Sequence, residues 1–253
     1  MLYFASSVFL SAFLLFQIQP MIGRFILPWF GGTPAVWSTL MLFFQALLTG
    51  GYAYAYWLMA RFRSFHQGII HLALVGLSLC MILALGVLWP SPITPDASWK
   101  PQGVEFPVWN IFRLLAVSVG LPYFVLSSNG PLMQAWFNRT SPGRSPYRLY
   151  ALSNLASLLA LVSYPILVEP LLSLGWQGRV WSAGYLLFGL LVGYGALRVL
   201  RVKDSASSLS ESNKKLSFSS AGLPNPANCS AVRPVSAWIW QSWQAICFSP
   251  TNC

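Results

Sequence analysis

The chain has 253 residues, of which 56% are hydrophobic and only 8% are charged, and its formal net charge is +10 at pH 7. An ordinary soluble protein is about 25% charged, so this composition excludes a soluble fold and favours lipid as the surrounding solvent. The basic residues lie in loops between apolar segments, as membrane topology requires, and nucleic-acid binding is therefore not favoured as the explanation of the positive charge.

Three long apolar segments occupy the first 88 residues. Pro20 interrupts the first segment, which continues to residue 27 after the break. Thr33 is a suitable N-cap for the second segment, and Pro34 fits its first helical position. A group of prolines follows the third segment and ends it. The predicted spans are residues 2–18, 35–59 and 68–88.

Three further apolar segments follow in the second half of the chain, over residues 108–127, 146–168 and 180–200. Polar and helix-breaking residues over 127–131 end the fourth span, and a short helix over 132–137 resumes after them. Ser145 is a cap for the fifth span, and Pro146 fits its first turn. The chain is therefore predicted to be an all-α, polytopic membrane helix bundle of about six transmembrane helices, with residues 1–202 as its transmembrane domain.

The two halves share a short sequence pattern. In the first half, Gln19-Pro20-Met21 precedes the helix that opens at Thr33-Pro34. In the second half, Asn129-Gly130-Pro131 precedes the helix that opens at Ser145-Pro146. Three spans repeated at opposite orientation form a plan that recurs in transporters, and the pattern predicts such a 3+3 repeat. The alternative is that prolines simply gather at helix ends.

The basic residues also predict an orientation. With the N-terminus inside, the inner loops and the C-terminal segment hold eleven of the fifteen basic residues, and the positive-inside rule favours this arrangement. The predicted location is the bacterial inner membrane, with the N-terminus and the C-terminus in the cytoplasm. An aromatic belt at the inner face is predicted from Tyr52, Tyr54, Tyr56 and Trp57.

The composition changes at Asp204, where Ser, Asn and Pro become common and the hydrophobic periodicity is lost. Residues 203–253 are predicted to be a polar, disordered cytoplasmic tail, for which a frameshifted or truncated end is one explanation. A short interfacial helix around Trp238, Trp240 and Trp243 is the alternative. The four cysteines form no CxxC or Cys/His spacing, so neither a metal site nor a disulfide framework is predicted.

Polar side chains within the apolar segments are the candidate functional groups, because burying them in lipid is costly. One interpretation is a polar pocket that binds a solute between helices. The other is interhelical hydrogen bonding that only fixes the packing, at about 1 kcal/mol per bond. No catalytic constellation, nucleotide loop or metal-ligand set is evident, so no catalytic residue and no cofactor is predicted. The candidate pocket residues are Gln17, Gln19, Arg24, Asn129, Gln134, Asn154 and Glu169.

Four longer strings are distinctive: FQIQPMIGR over 16–24, LPWFGGTPAVW over 27–37, GLPYFVLSS over 120–128 and SPYRLYALSN over 145–154. They resemble a bacterial family, the spermidine-synthase-like polytopic membrane proteins, described as fused transporter-like and aminopropyltransferase-like proteins. The resemblance covers about residues 1–200. It implies further membrane spans and then a cytoplasmic aminopropyltransferase-like domain, whose nucleotide loop and catalytic aspartate have no counterpart in this chain.

The resemblance therefore implies a transporter-like or anchoring membrane module without catalysis of its own. Its partners would be the lipid bilayer and a small cationic solute such as a polyamine, although Glu169 is the only plausible carboxylate that the spans offer to a polycation. Two alternatives stay open. The chain is either a structural subunit of a larger membrane complex or homo-oligomer, or the membrane partner of a separately encoded aminopropyltransferase-like enzyme.

Overall fold

The structure is a computed structural model that describes residues 2–89, 91–95, 99–100, 107–140 and 147–195. These residues form helices and turns, without a β-strand among them. All of them belong to one compact unit, Met1–Asp204. The predicted all-α helix bundle is thus confirmed, while the predicted tail over 203–253 lies outside the described residues.

The first helix, α1 (Leu2–Phe30), is longer than the sequence predicts. The break predicted at Pro20 is wrong, because the helix continues through both Pro20 and Pro28. Prolines are tolerated in such a span because neighbouring helices and local adjustments satisfy the freed backbone groups. The helix ends before Gly31, whose φ of 83° falls in the left-handed region that glycine adopts without strain.

The next two helices, α2 (Pro34–Arg61) and α3 (Ser64–Leu88), agree with the predicted spans. Thr33 caps α2 as predicted, since its side-chain oxygen accepts a hydrogen bond from the Val36 amide at 3.5 Å. Only two residues separate α2 from α3. Such a short turn makes the two helices antiparallel neighbours.

The fourth span is one continuous stretch made of α4 (Pro107–Leu115), a π-helical segment (Ala116–Gly120) and α5 (Leu121–Thr140). The break predicted over 127–131 is therefore wrong. Ser127 and Ser128 bond back to the carbonyls of Phe124 and Val125, each at 2.9 Å, so their hydroxyls are satisfied inside the helix. The irregularity lies earlier, in the π-helical segment, which the sequence analysis did not predict.

The fifth span comprises α6 (Tyr147–Ser163), a second π-helical segment (Tyr164–Val168) and the short α7 (Glu169–Leu171). The predicted cap Ser145 lies outside the described residues. The last helix, α8, covers residues 174–195. It begins six residues before the predicted start at residue 180, and residues 196–200 of the predicted span lie outside the described residues.

Five spans in the described part of the chain are long and apolar enough to cross a membrane, and many of their large apolar side chains are exposed. The fifth span is the most open to its surroundings of these five, with Leu155, Leu158 and Ile166 among its exposed residues. This surface matches lipid tails and would be unstable in water. The chain is an integral membrane protein in architecture.

The two halves of the chain pack against each other. The closest neighbours are α1 with α6 and α2 with α5, and each pair joins one half of the chain to the other. Helix α3 of the first half packs against α5, and helix α8 of the second half packs against α1. The Trp136 indole of α5 donates to the Gln67 side-chain oxygen of α3 at 3.1 Å, and the Trp181 indole of α8 donates to the Leu14 carbonyl of α1 at 2.9 Å.

The turns before the two third helices are also built alike. Gln67 lies in the first turn of α3, and its side-chain nitrogen donates to the Phe62 carbonyl at 2.7 Å. Gln177 lies in the first turn of α8, and its side-chain nitrogen donates to the Leu172 carbonyl at 2.8 Å. The spacing from acceptor to glutamine is the same in both cases. The two halves are therefore related in local structure as well as in helix order.

Candidate functional site

The seven predicted pocket residues do not gather in one place. Gln19, Arg24, Asn129 and Glu169 each contact a partner, and these contacts form three separate groups. Gln17 and Gln134 are half-buried, while Asn154 is exposed on α6, and no hydrogen bond joins any of these three to another described residue.

The most deeply buried of the three groups is centred on Asn129 of α5. Its side-chain nitrogen lies 3.0 Å from Ser11 Oγ and 3.3 Å from Ser7 Oγ, both on α1. The Ser11 hydroxyl donates to the Val8 carbonyl at 3.1 Å, so its oxygen is free to accept from the amide. Asn129 Oδ1 is also buried and has no hydrogen-bond partner among the described residues. An unpartnered buried acceptor is costly and calls for a water or a ligand.

A small cleft of about 40 Å³ lies beside this group. A buried water occupies roughly 10–15 Å³ on the same measure, so about three waters or one very small solute would fill the cleft. Drug-sized ligands need about 300–1,000 Å³ and are excluded from it in this conformation. Helices α1, α2, α5 and α6 supply its walls, which are Ser11, Ala12, Leu15, Phe16, Leu48, Tyr52, Leu126, Ser127, Gly130 and Ser153.

Two prolines lie one turn beyond residues that line the cleft. Proline has no amide hydrogen, so Pro20 cannot bond the Phe16 carbonyl and Pro131 cannot bond the Ser127 carbonyl in the usual helical pattern. Phe16 and Ser127 both line the cleft. The two prolines hold matching places in the first span of each half. The cleft is therefore flanked by one weakened helical turn from each half.

A second amide–hydroxyl contact joins the same two spans nearer the opposite end. The Gln19 side chain of α1 donates to the Tyr123 hydroxyl of α5 at 2.8 Å. Tyr123 is buried, and its ring packs against Phe44 of α2. Gln19 precedes Pro20, just as Asn129 closely precedes Pro131. In each half an amide beside the helix proline thus reaches a hydroxyl group of the other half.

Arg24 and Glu169 form the third group, between α1 and α7. Their charged groups lie 3.5 Å apart, and Arg24 also donates to the Glu169 carbonyl at 3.1 Å. Both side chains remain about 40% exposed, so the pair contributes little to stability. Its chemical consequence is clearer. The one carboxylate that the sequence offers to a cationic solute is neutralised by an arginine.

Sequence reasoning missed the hydroxyl groups that line the cleft, Ser11, Tyr52, Ser127 and Ser153. Single serines occur throughout apolar spans, and nothing in their spacing separates these from the others. Tyr52 was predicted to belong to an aromatic belt. Only the packing of α1 on α5 and α6 brings the four groups together.

Among the described residues, no three His, Cys, Asp or Glu side chains are grouped closely enough to hold a metal ion. Comparison of this chain with protein-family models, with curated proteins and with solved structures found no match.

Proposed function

We propose that this chain is a transporter-like membrane module that binds a small polar solute in the cleft between its two halves. The observation that carries the proposal is the cleft itself, which lies where α1 and α2 meet α5 and α6 and is lined by Ser11, a hydrogen-bond partner of Asn129. Transporters built from inverted repeats bind their solutes at the interface between the repeats.

The position of the cleft supports this proposal. Ser11 is nine residues from the start of α1, which corresponds to about 14 Å of helix, so the cleft lies well inside a bilayer core of about 30 Å. A polar site at that depth is expensive to maintain in lipid, and packing alone does not require an open volume beside it.

The chemistry of the cleft indicates the class of solute. Hydroxyl and carbonyl groups both accept hydrogen bonds, and the hydroxyls also donate them. Among the residues that the structure describes, none with a charged side chain lines the cleft. A small neutral or singly charged solute is therefore favoured over a polycation. A polyamine, suggested by the resemblance to spermidine-synthase-like membrane proteins, would need Glu169 to be released from Arg24.

The proposed setting is the bacterial inner membrane, with the end of the bundle at which α1 begins facing the cytoplasm. Arg61, Arg63 and Arg139 belong to that end, because α2 and α5 finish there and α3 begins there. The positive-inside rule supports this orientation.

A structural subunit of a membrane complex is the second candidate, and the open apolar face of α6 favours it. Only 17% of the fifth span is buried inside the bundle. A partner subunit, or the membrane anchor of a separate enzyme, fits such a face as well as lipid does. A scaffold of this kind requires no solute.

Ligand-dependent thermal stability separates these candidates, because a solute that binds only the folded state raises its melting temperature. The protein, purified in detergent, is heated with amino acids, simple amines, putrescine, spermidine and spermine at rising concentrations. The proposal predicts a concentration-dependent rise with at least one small solute. A flat response to the whole panel would favour the scaffold.

Two serines of α6 provide a matched pair of variants for that experiment. Ser153 lines the cleft, whereas Ser157, one turn further along α6, does not. Ser153→Leu places a large apolar side chain in the cleft and is expected to abolish the solute effect. Ser157→Leu is expected to retain it. Loss of the effect in both variants would place the solute elsewhere.

A further inference from the structure

A second polar site, separate from the cleft, lies between α2, α3 and α5. His71 of α3 is fully buried, and neither of its ring nitrogens has a hydrogen-bond partner among the described residues. The hydroxyl group of Tyr54 on α2 is likewise buried and without a partner there. A neutral imidazole carries one donor and one acceptor, and a phenol can act as both. Three such atoms without partners in the interior of one bundle are unusual.

The neighbouring polar groups cannot serve these atoms, because they are bound to each other. The Gln67 side-chain oxygen accepts from the Trp136 indole and from Arg139, each at 3.1 Å. The Gln67 nitrogen donates to the Phe62 carbonyl at 2.7 Å. Trp136 presents its ring to His71 edge to face, with centroids 6.2 Å apart, and its only polar hydrogen is already used by Gln67.

Empty space lies at Gly68, one helical turn before His71. Gly68 precedes His71 by three residues on α3, which places both on one face of the helix. Gly68 is buried, yet a Cβ atom added to it would meet no atom within 4 Å other than those of its own stretch of helix. In a close-packed interior such a position is normally filled. The Tyr54 ring lies beside His71 with centroids 6.4 Å apart, so the two residues with unpartnered polar atoms are neighbours, and Gly68 lies one helical turn from His71.

We propose that Tyr54, Gly68 and His71 frame a buried binding site whose ligand is water. A water molecule both donates and accepts, so it can bridge the Tyr54 hydroxyl and the His71 ring and give both groups partners. Buried waters occur where a small space is lined by two or more polar groups that lack partners, and an apolar void stays dry. The glycine at position 68 keeps that space open. Helices α2, α3 and α5 build this site, whereas α1 and α6 help to build the cleft, and neither proposal depends on the other.

Magnetic resonance on the unaltered protein tests the proposal directly. The chain has two histidines, so protein labelled with ¹⁵N-histidine gives two sets of ring signals. His66→Gln leaves only the signals of His71 and assigns them. The proposal predicts magnetisation transfer from water to the His71 ring in detergent and in lipid nanodiscs. A His71 ring that receives no transfer from water would overturn it.

Two glycines of α3 provide a second test by thermal stability. A Cβ added to Gly68 or to Gly76 would meet no atom within 4 Å outside its own stretch of helix, but Gly68 is buried and Gly76 is only half-buried. Each alanine substitution improves helix propensity equally. Because its methyl group displaces the water, Gly68→Ala is expected to melt at a lower temperature than Gly76→Ala and to lose the water signal at His71. A melting temperature for Gly68→Ala at or above that of Gly76→Ala would mean that the space is dry, and it would contradict the proposal.

Discussion

At the scale of single residues, the side-chain amides of Gln67 and Gln177 act as caps for the helix that precedes them. A helix ends with carbonyls that have no intrahelical donor. In both halves a glutamine from the next helix supplies that donor across a tight turn. The side-chain oxygen of each glutamine also accepts hydrogen bonds. Trp136 and Arg139 donate to Gln67, and the Tyr164 hydroxyl donates to Gln177.

Gln67→Leu is therefore expected to destabilise the protein. The change leaves the Phe62 carbonyl and the Trp136 indole without their partner, and each buried orphan group costs about 1–3 kcal/mol. The measurement is the melting temperature in detergent. Gln45→Leu on α2 is the matched control, because Gln45 is exposed on the lipid-facing side of the bundle and its loss should cost nothing. Equal effects from the two variants would show that the cap is unimportant.

Two adjacent glycines of α2 give a second residue-level prediction. A Cβ on Gly51 would lie 2.9 Å from Ser127 Cβ and 3.1 Å from the Phe124 carbonyl oxygen, which is too close. A Cβ on Gly50 would meet its nearest atom at 3.6 Å, an ordinary contact. Gly51→Ala should therefore push α2 away from α5 and cost about 1–3 kcal/mol, as overpacking does.

Gly50→Ala is the internal control for this experiment and should be neutral or stabilising, by up to about 1 kcal/mol. The free energy of unfolding of both variants, measured in mixed detergent micelles, checks the pair. A Gly51→Ala protein as stable as the Gly50→Ala protein would contradict the observed closeness of α2 and α5.

At the scale of helices, prolines weaken the first span of each half without breaking it. Pro20 and Pro131 lie inside continuous helices and leave Phe16 and Ser127, at the wall of the cleft, without the usual backbone donor. Pro28, also inside α1, lies beyond this region, and the carbonyl that it frees belongs to Arg24, which does not line the cleft.

Pro131→Ala restores an amide that can bond the Ser127 carbonyl. The variant should be more stable than the parent protein, because a proline in a helix interior costs about 3 kcal/mol relative to alanine. It should nevertheless bind the solute of the cleft more weakly, since one acceptor has been withdrawn. Pro28→Ala should be stabilised in a similar way and should bind normally. If solute binding, followed by thermal shift, is unchanged in both variants, the freed carbonyl has no role in it.

Helix features that depend on local sequence were predictable, and those that depend on neighbouring helices were not. The positions of α2 and α3 were predictable, because continuous apolar length and the Thr33-Pro34 signal depend only on local sequence. The helix breaks at Pro20 and over 127–131 were predicted wrongly, because whether a proline ends a helix depends on the neighbouring helices that satisfy the freed groups. The early start of α8 has the same origin, since the turn before it is closed by the Gln177 side chain.

The candidate site was less predictable than the fold. Asn129 and Gln19 were found because amides are rare and costly in apolar spans, and both make contacts between the halves. The walls of the cleft come from residues far apart in the chain, such as Ser11 and Ser153, and only packing identifies them. Tyr54 was predicted to lie in an interfacial belt, but it packs beside the buried His71.

At the scale of the whole molecule, each half packs its last helix against the first span of the other half. Helix α3 of the first half packs on α5, and helix α8 of the second half packs on α1. The proposed inverted arrangement, with three spans in each half, places equivalent turns at opposite ends of the bundle. Arg63, in the turn before α3, and Ser173, in the turn before α8, are equivalent positions, and both are exposed.

Labelling of these two turns in intact cells tests this architecture most directly. The native cysteines Cys80, Cys229, Cys247 and Cys253 are first replaced by serine, and Arg63→Cys and Ser173→Cys are then made one at a time. A maleimide that cannot cross the membrane is expected to label Ser173→Cys from outside and to label Arg63→Cys only after the cells are opened. If both positions are labelled from the same side, the two halves are not inverted across the membrane and the proposed transporter-like arrangement is wrong.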